Sequence, residues 1–330
     1  MEKDESTPAD TPGPATPMEV EVKLEGPPGL VSSLFDLGLL SAAIAQPRAQ
    51  RLVATYFDTP DDALDRAGMS LRLRKSGARR VMTVKWATRD SHGFARGEVE
   101  APFRGDLPDV DIFGPEVSER IKEATRGEPL TPRFETRVRR RTAEVAVGAS
   151  LVELALDEGE IVAADARRKI SECELELKAG DAAALFGLAA QLTRAGLRVN
   201  PESKARRGYL LARGEKPCEV RAVAPVLDAG ASIEDAISVV IRNATSQFVG
   251  NWPAFFDADI PESVHQMRVA LRRLRAALAL FERNFPGAGF RRVRDDAKRL
   301  ANALGPARDL DVFIALVSGG PLAVFPSEPS

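Results

Sequence analysis

The sequence predicts an α+β chain: a β-rich domain over residues 18–213 with two covering helices, then an all-α helical domain over residues 232–330. Two observations predict it. Short period-two alternations of apolar and polar residues recur through the first two thirds of the chain, as in strands with one buried face. From Ser232 onward helical spacing takes over and no strand pattern interrupts it.

The composition fits this division. The 330 residues suffice for two ordinary domains, and 44% apolar with 28% charged residues is the balance of a soluble globular protein. A formal net charge of −2 excludes a global pull towards nucleic acid or membrane, so any anion site must be local. Residues 1–17 are acidic and proline-rich, without a basic start or an apolar run, and read as a disordered tail. The stretch "LVSSLFDLGLLSAAIA" is too short to span a bilayer and contains Asp36. Cys173 and Cys218 are too few for a disulfide framework or a cysteine metal site. The expectation is a reduced, cytoplasmic chain with no membrane partner.

The first strand is "MEVEVKLE", where Met18, Val20, Val22 and Leu24 alternate with Glu19, Glu21, Lys23 and Glu25. Further strand patterns are "RLVATYFDT", "MSLRLRKS", "RVMTVKWA", "ARGEVEAPF", "FETRVRRRTAEV", "SLVELALDEG", "EIVAA" and "SECELELKAG", many separated by Gly, Asp, Pro or Ser clusters. The covering helices are "GLVSSLFDLGLLSAAIA" and "DAAALFGLAAQLTRAGL". Residues 214–231 have the Pro, Gly and Ala content of a linker. Three helices follow, with Ser232 and Asp235 marking one start and Pro261 with Glu262 another.

One charged strand face is an ordinary solvated surface, but seven obey one rule. Arg72 and Arg74 share a face; Lys85 lies opposite Met82, Val84 and Trp86; Arg96, Glu98 and Glu100 align. Arg137, Arg139 and Arg141 align, as do Glu153 with Asp157, and Glu172 with Glu174 and Glu176. Some strands are purely basic and others acidic, whereas a merely soluble surface mixes signs within each strand. Curling the sheet gathers both signs around a polar lumen. Carboxylates without nearby His or Cys favour a hard cation, Mg²⁺ or Mn²⁺, and Arg and Lys suit phosphate oxygens.

The motifs "EVEVK", "YFDTP", "LRLRK", "TVK", "ELALDEG", "ELELK" and "SKARRGY", in this order, resemble the CYTH domain, the triphosphate tunnel metalloenzyme family. The resemblance implies a closed antiparallel β-barrel tunnel. It implies that Glu19, Glu21, Asp157, Glu174 and Glu176 hold metal, with Glu172 an alternative in "ECELE" and Glu153 a metal neighbour or a salt-bridge partner. Lys23, Arg72, Arg74, Lys85, Arg137 and Lys204 would grip a triphosphate, with Arg139 sharing or taking the place of Arg137. Lys85 and Glu98 are the catalytic candidates, Glu98 as the carboxylate that places water.

The helical part resembles the CHAD domain, a module associated with polyphosphate binding. His265, Arg268, Arg272 and Arg275 in "HQMRVALRRLRAALALF" share one helical face, and Lys298 and Arg308 follow in "RLANALGPARDLDV". CHAD domains are usually more than twice this length, so the expectation is a truncated or naturally short form whose exposed half-interface drives self-association. Together the resemblances imply an inorganic triphosphatase acting on tripolyphosphate, with a helical part that recruits polyphosphate. The alternatives are an organic triphosphate enzyme (thiamine triphosphatase, nucleoside triphosphatase or class IV adenylate cyclase) and a non-catalytic polyphosphate scaffold. Nucleic-acid binding ranks last, because aromatics do not interleave with the basic residues.

Overall fold

The computed structural model describes residues 18–36, 47–87, 95–258, 260–285 and 289–319. The expected tail, the second half of the first covering helix, the segment around His92 and the last residues lie outside them. Nine strands form one antiparallel sheet in the order β5-β4-β3-β2-β6-β7-β8-β1-β9. They are β1 (Met18–Glu25), β2 (Arg48–Asp58), β3 (Met69–Ser76), β4 (Arg79–Trp86), β5 (Ala95–Pro102), β6 (Thr131–Val147), β7 (Ser150–Ala163), β8 (Ala166–Ala179) and β9 (Arg198–Val199).

The closed barrel is corrected by the pairing at β1. Met18, Glu19 and Val20 pair with β5, whereas Glu21 to Glu25 pair with β8, so no residue of β1 ladders to both β5 and β8. At its far end, Leu24 and Glu25 pair with β9 on the edge opposite β8, where β5 does not reach. The sheet is strongly curled, with its two ends joined in succession along β1, and is not an evenly laddered barrel. A second correction concerns "SLVELALDEG" and "EIVAA", which form the single strand β7. Gly159 marks no turn: a Cβ there would lie 1.9 Å from the Arg137 carbonyl oxygen, so glycine serves the close approach of β6.

Helices cover the apolar faces. α1 (Pro28–Ser32) and α4 (Ala182–Arg194) bury Val22, Leu24, Val152, Leu154, Leu156, Cys173 and Leu175 with Leu185, Leu188 and Leu192. α2 (Ala63–Arg66) and α3 (Pro115–Thr125) cover Leu71, Leu73, Met82 and Val84 with Leu64 and Ile121. Sequence reading missed α3, whose charged outer face weakens its apolar periodicity. It also missed α5 (Lys204–Arg213), capped by the Ser203 hydroxyl, which accepts from the Arg206 N–H at 3.1 Å. Tyr209 of α5 packs edge-on against Phe134, which stacks on Tyr56 at 4.5 Å, so aromatic rings and α5 close one end of the curled sheet.

The rest is helical: α6 (Ile233–Gly250), α7 (Trp252–Asp257), α8 (Pro261–Asn284), α9 (Phe290–Ala303) and α10 (Gly305–Gly319). Ser232 and Asp235 form a capping box at the start of α6, and Pro261 is the first residue of α8. Ala244, Leu271, Leu274, Leu278 and Ala297 make the core of this part. It meets the sheet at Asp257, whose carboxylate accepts from Arg168 at 2.7 Å and Arg198 at 2.8 Å. No helix of the described residues is long and apolar enough to cross a membrane.

Candidate functional site

The concave face of the curled sheet encloses a cavity of about 620 Å³, lined from β1 to β8 and by the first turn of α5. Strand register sets its floor plan. Glu21 lies opposite Glu176, which lies opposite Glu153; Lys23 lies opposite Glu174. One step deeper, Asp157 lies between Glu172 and Arg140 on the neighbouring strands. On the other wall Lys85 is opposite Glu98 and Thr83 opposite Glu100, with Arg72 and Arg74 on β3 beside them. The lining holds eight Lys or Arg and six Glu side chains, an excess of two positive charges in a chain whose net charge is −2.

Glu21, Lys23, Arg72, Arg74, Lys85, Glu98, Glu174, Glu176, Lys204 and Glu153 all lie on this lining. Asp157 sits just behind it, fully buried. Glu19 occupies the β1 position opposite Arg96 of β5.

Arg137 and Arg139 do not reach the cavity. The inward positions of β6 are Arg140 and Thr142, one residue out of phase with the expected set. Arg137 is 53% exposed and pairs outside with Glu135 at 2.6 Å and Glu160 at 3.8 Å; Arg139 is also exposed. The run "RVRRR" carries arginines in both phases, and the inward face of β6 continues through buried Phe134 and Val138, so alternation alone selected the wrong phase.

Arg140 is the residue that sequence reasoning missed. Its Nε and Nη2 donate to the two oxygens of Asp157 at 2.7 and 2.6 Å, and Nη2 also donates to Glu174. Lys204 donates to Glu172 and to Glu174 at 2.9 Å and lies 2.6 Å from Asp157. Arg207, one helical turn along α5, donates to Glu172 and is itself buried. That spacing of three from Lys204 is a signal in "SKARRGY" that could have found it.

Electrostatics hold Glu174 and Asp157 in their ionised form. Burial pushes the Glu174 and Asp157 carboxyls up, but Lys204 and Arg140 outweigh it: Glu174 falls well below the usual carboxylate range and Asp157 falls below its ordinary value. Burial likewise opposes charge on Lys204 and Arg140, yet the carboxylates around them raise both. Arg74 is lowered, by burial first and then by neighbouring Arg72. On that wall Lys85 lies 3.1 Å and Arg72 3.8 Å from Glu98, and Arg74 lies 2.8 Å from Glu100. The Nε of Arg72 is buried without a hydrogen-bond partner.

Asp157, Glu172 and Glu174 bring carboxylate oxygens within 4.8 Å of one another, a set that could hold a metal ion. The donors are all oxygen, as a hard divalent cation requires, and the three already share one cation, the Lys204 ammonium. A divalent cation therefore fits the chemistry of the set.

In the helical part, His265, Arg268, Arg272 and Arg275 flank the buried stripe of α8. Arg272 and Lys298 are exposed, and Arg268 donates to the Ala301 carbonyl at 2.5 Å. The buried Nε of Arg275 has no partner, and Arg308 is half-buried.

The family model for the CYTH domain matches residues 17–209, more than half of the chain. The chain belongs to the CYTH family. Behind its CYTH part, the CHAD domain model matches residues 239–325, giving a CYTH–CHAD architecture. An uncharacterized protein of Mycobacterium tuberculosis is 29% identical over 331 residues, covering 93% of this chain and 60% of that one. An inorganic triphosphatase of Haemophilus influenzae is 31% identical over 202 residues, covering 58% of this chain and 54% of that one. The chain thus spans about 60% of the length of the first of these relatives. Among solved structures, the Hippeastrum protein HpAC1 matches at 18% identity and a TM-score of 0.43, over 60% of this chain and 96% of that one.

Proposed function

We propose that the CYTH part is a metal-assisted triphosphatase that cleaves the terminal phosphate of tripolyphosphate, releasing phosphate and pyrophosphate. One observation carries the reading: a single cavity joins an excess of Lys and Arg to a cluster of carboxylates fit for a hard cation. The 31% identical Haemophilus inorganic triphosphatase supports it.

Lys23, Arg72, Arg74, Lys85, Arg140 and Lys204 bind the phosphate oxygens. The unpartnered Arg72 Nε, the net positive lining and the Arg fork geometry all suit that role. A divalent cation, Mg²⁺ or Mn²⁺, held by Asp157 and Glu174 with Glu172, and joined on the β1 side by Glu21, Glu19 and Glu176, would neutralise charge on the phosphoryl oxygens. Glu98, held by Lys85, orients a water molecule. The water oxygen forms the new bond to the terminal phosphorus, the bridging P–O bond breaks, and Glu98 accepts the water proton.

An organic triphosphate is the weaker reading. Among the described residues Tyr56 is the one ring on the lining, and one of its faces is already covered by Phe134. A non-catalytic scaffold does not account for carboxylates gathered in an anion-binding cavity. The CHAD part, in this reading, recruits polyphosphate through His265, Arg272, Lys298 and Arg308 with Arg268 and Arg275 behind them.

The test is phosphate release from tripolyphosphate, ATP and thiamine triphosphate, with and without Mg²⁺ or Mn²⁺. Metal-dependent release from tripolyphosphate above the other two, lost in Glu21→Gln, is the expected result. Release from none of the three, with polyphosphate binding intact, would replace the enzyme by the scaffold.

A further inference from the structure

The Lys204 ammonium does more than a phosphate-binding group requires. It lies 2.6 Å from Asp157, 2.9 Å from Glu174 and in direct contact with Glu172, touching all three carboxylates of the cation-fit cluster at once. Its side chain is 9% exposed. The other cations at the cluster are attached from outside the triangle: Arg140 reaches Asp157 and Glu174 from β6, and Arg207 reaches Glu172 from further along α5. Three carboxylates therefore face three cations, and their charge is balanced with Lys204 in the shared position. A divalent ion entering with Lys204 still present would bring five positive charges against three negative ones in a buried site, an arrangement that low dielectric penalises heavily. With the ammonium moved aside, the same ion meets three carboxylate oxygens.

We infer that Lys204 is a built-in counter-cation that keeps the Asp157–Glu172–Glu174 cluster closed to divalent metal until a phosphate anion draws its ammonium away. The inference rests on the triphosphate reading above and adds an order to it: metal and anion bind together, and free metal binds poorly to the free chain. The placement of Lys204 makes the exchange short. It is the first residue of α5, and Ser203, Lys204 and Ala205 all line the cavity that receives the anion. Its long, flexible stem can turn from the carboxylates to a phosphate oxygen without moving the helix.

The experiment is Mn²⁺ binding to the full chain, read from the electron paramagnetic resonance signal of free Mn²⁺, for wild type and Lys204→Met. In the absence of any anion, Lys204→Met is expected to bind Mn²⁺ at least tenfold more tightly than wild type. A merely structural or phosphate-gripping lysine predicts equal or weaker binding in the variant, and either result overturns the inference. A second measurement does not depend on the variant folding. Wild-type crystals with Mn²⁺ alone should show no anomalous peak at Asp157, Glu172 and Glu174. Crystals with Mn²⁺ and a non-hydrolysable imido analogue of tripolyphosphate should show one, with Lys204 turned to a phosphate oxygen. A peak without the anion, or a peak with Lys204 still on all three carboxylates, overturns the inference. Calorimetry with the analogue separates the two readings. No analogue binding at any metal level removes the triphosphate reading and the anion coupling with it, whereas tighter Mn²⁺ binding by Lys204→Met than by wild type still supports the counter-cation.

Discussion

The guanidinium of Arg140 grips both carboxylate oxygens of Asp157, at 2.7 and 2.6 Å, with Asp157 1% exposed and Arg140 17% exposed. This fork joins β6 to β7 on the inner face of the sheet and places one cation and one carboxylate of the candidate site at once. Removing one member strands the other in a buried setting.

Arg140→Met is therefore expected to cost about 3–5 kcal/mol of stability, the scale of a broken buried ion pair. Arg139→Met, one residue away on the exposed face, is expected to leave stability unchanged. Urea denaturation of both variants measures the contrast. Equal effects would mean that β6 presents its other face to the cavity.

The acid limb of stability follows from the same pair. Asp157 and Glu174 titrate in the folded chain below their unfolded values of about 3.9 and 4.3. As pH falls, the unfolded chain takes up protons first, so these groups contribute fully above about pH 5 and lose their contribution as pH drops through the folded values. Lys204 is raised, so its contribution is full at neutral pH and fades only above its unfolded value of about 10.4. Denaturation midpoints between pH 3 and 6 should fall steeply in wild type and with a shallower slope in Asp157→Asn. An unchanged slope would remove Asp157 from the acid-sensitive set.

How far the sequence carried this site depended on where alternation was clean. In "MEVEVKLE", "LRLR" and "ECELELK" apolar and charged residues alternate strictly, and Glu21, Lys23, Arg72, Arg74 and Glu174 lie on the cavity lining as their phase predicts. In β6 the inner face mixes Phe134 and Val138 with Arg140 while the outer face carries Arg137 and Arg139, so charge did not report direction. Register across three strands, which alternation does not encode, decided it. α5 escaped because Lys204, Arg207, Gly208 and Tyr209 share its buried face with Ala205 and Leu210, which leaves too few aliphatic residues for a helical period. The curl of the sheet was legible from its segregated charges; the succession of β5 and β8 along β1 was not, because it depends on how many residues each pairing takes.

The placement of Lys204 depends on a residue that touches no substrate. A Cβ on Gly208 would come within 2.0 Å of the Phe134 ring, and Phe134 is held between Tyr56 and Tyr209. Gly208→Ala is expected to lose about 1–3 kcal/mol by overpacking and to lower tripolyphosphate hydrolysis by displacing the first turn of α5. Gly187→Ala in α4, where a Cβ meets nothing within 4 Å, is expected to gain about 0.5–1 kcal/mol from helix propensity. Melting curves and phosphate release for both variants test the pair. Unchanged hydrolysis in Gly208→Ala would uncouple α5 from the site.

The junction between the CYTH and CHAD parts turns on one carboxylate. Asp257 accepts from Arg168 of β8 and Arg198 of β9, and Arg198 lies 4.7 Å over the Phe256 ring. Arg198 also pairs with Glu25 of β1, and the Asn200 N–H donates to the Lys23 carbonyl at 2.9 Å, so the junction is tied to the strand that carries Glu21 and Lys23. On the other side of the linker, Asn251 holds Val220 by both its N–H and its carbonyl. Removing the carboxylate leaves two guanidinium groups facing each other without their shared partner, and like charges then push α7 off the sheet. Asp257→Ala should therefore expose the intervening chain, seen as faster cleavage between residues 214 and 231 in limited proteolysis. Asp257→Glu, which restores the charge, should return the wild-type rate, while the CYTH part keeps its own melting transition in both variants. Equal cleavage in all three proteins would mean that the linker, and not Asp257, holds the two parts together.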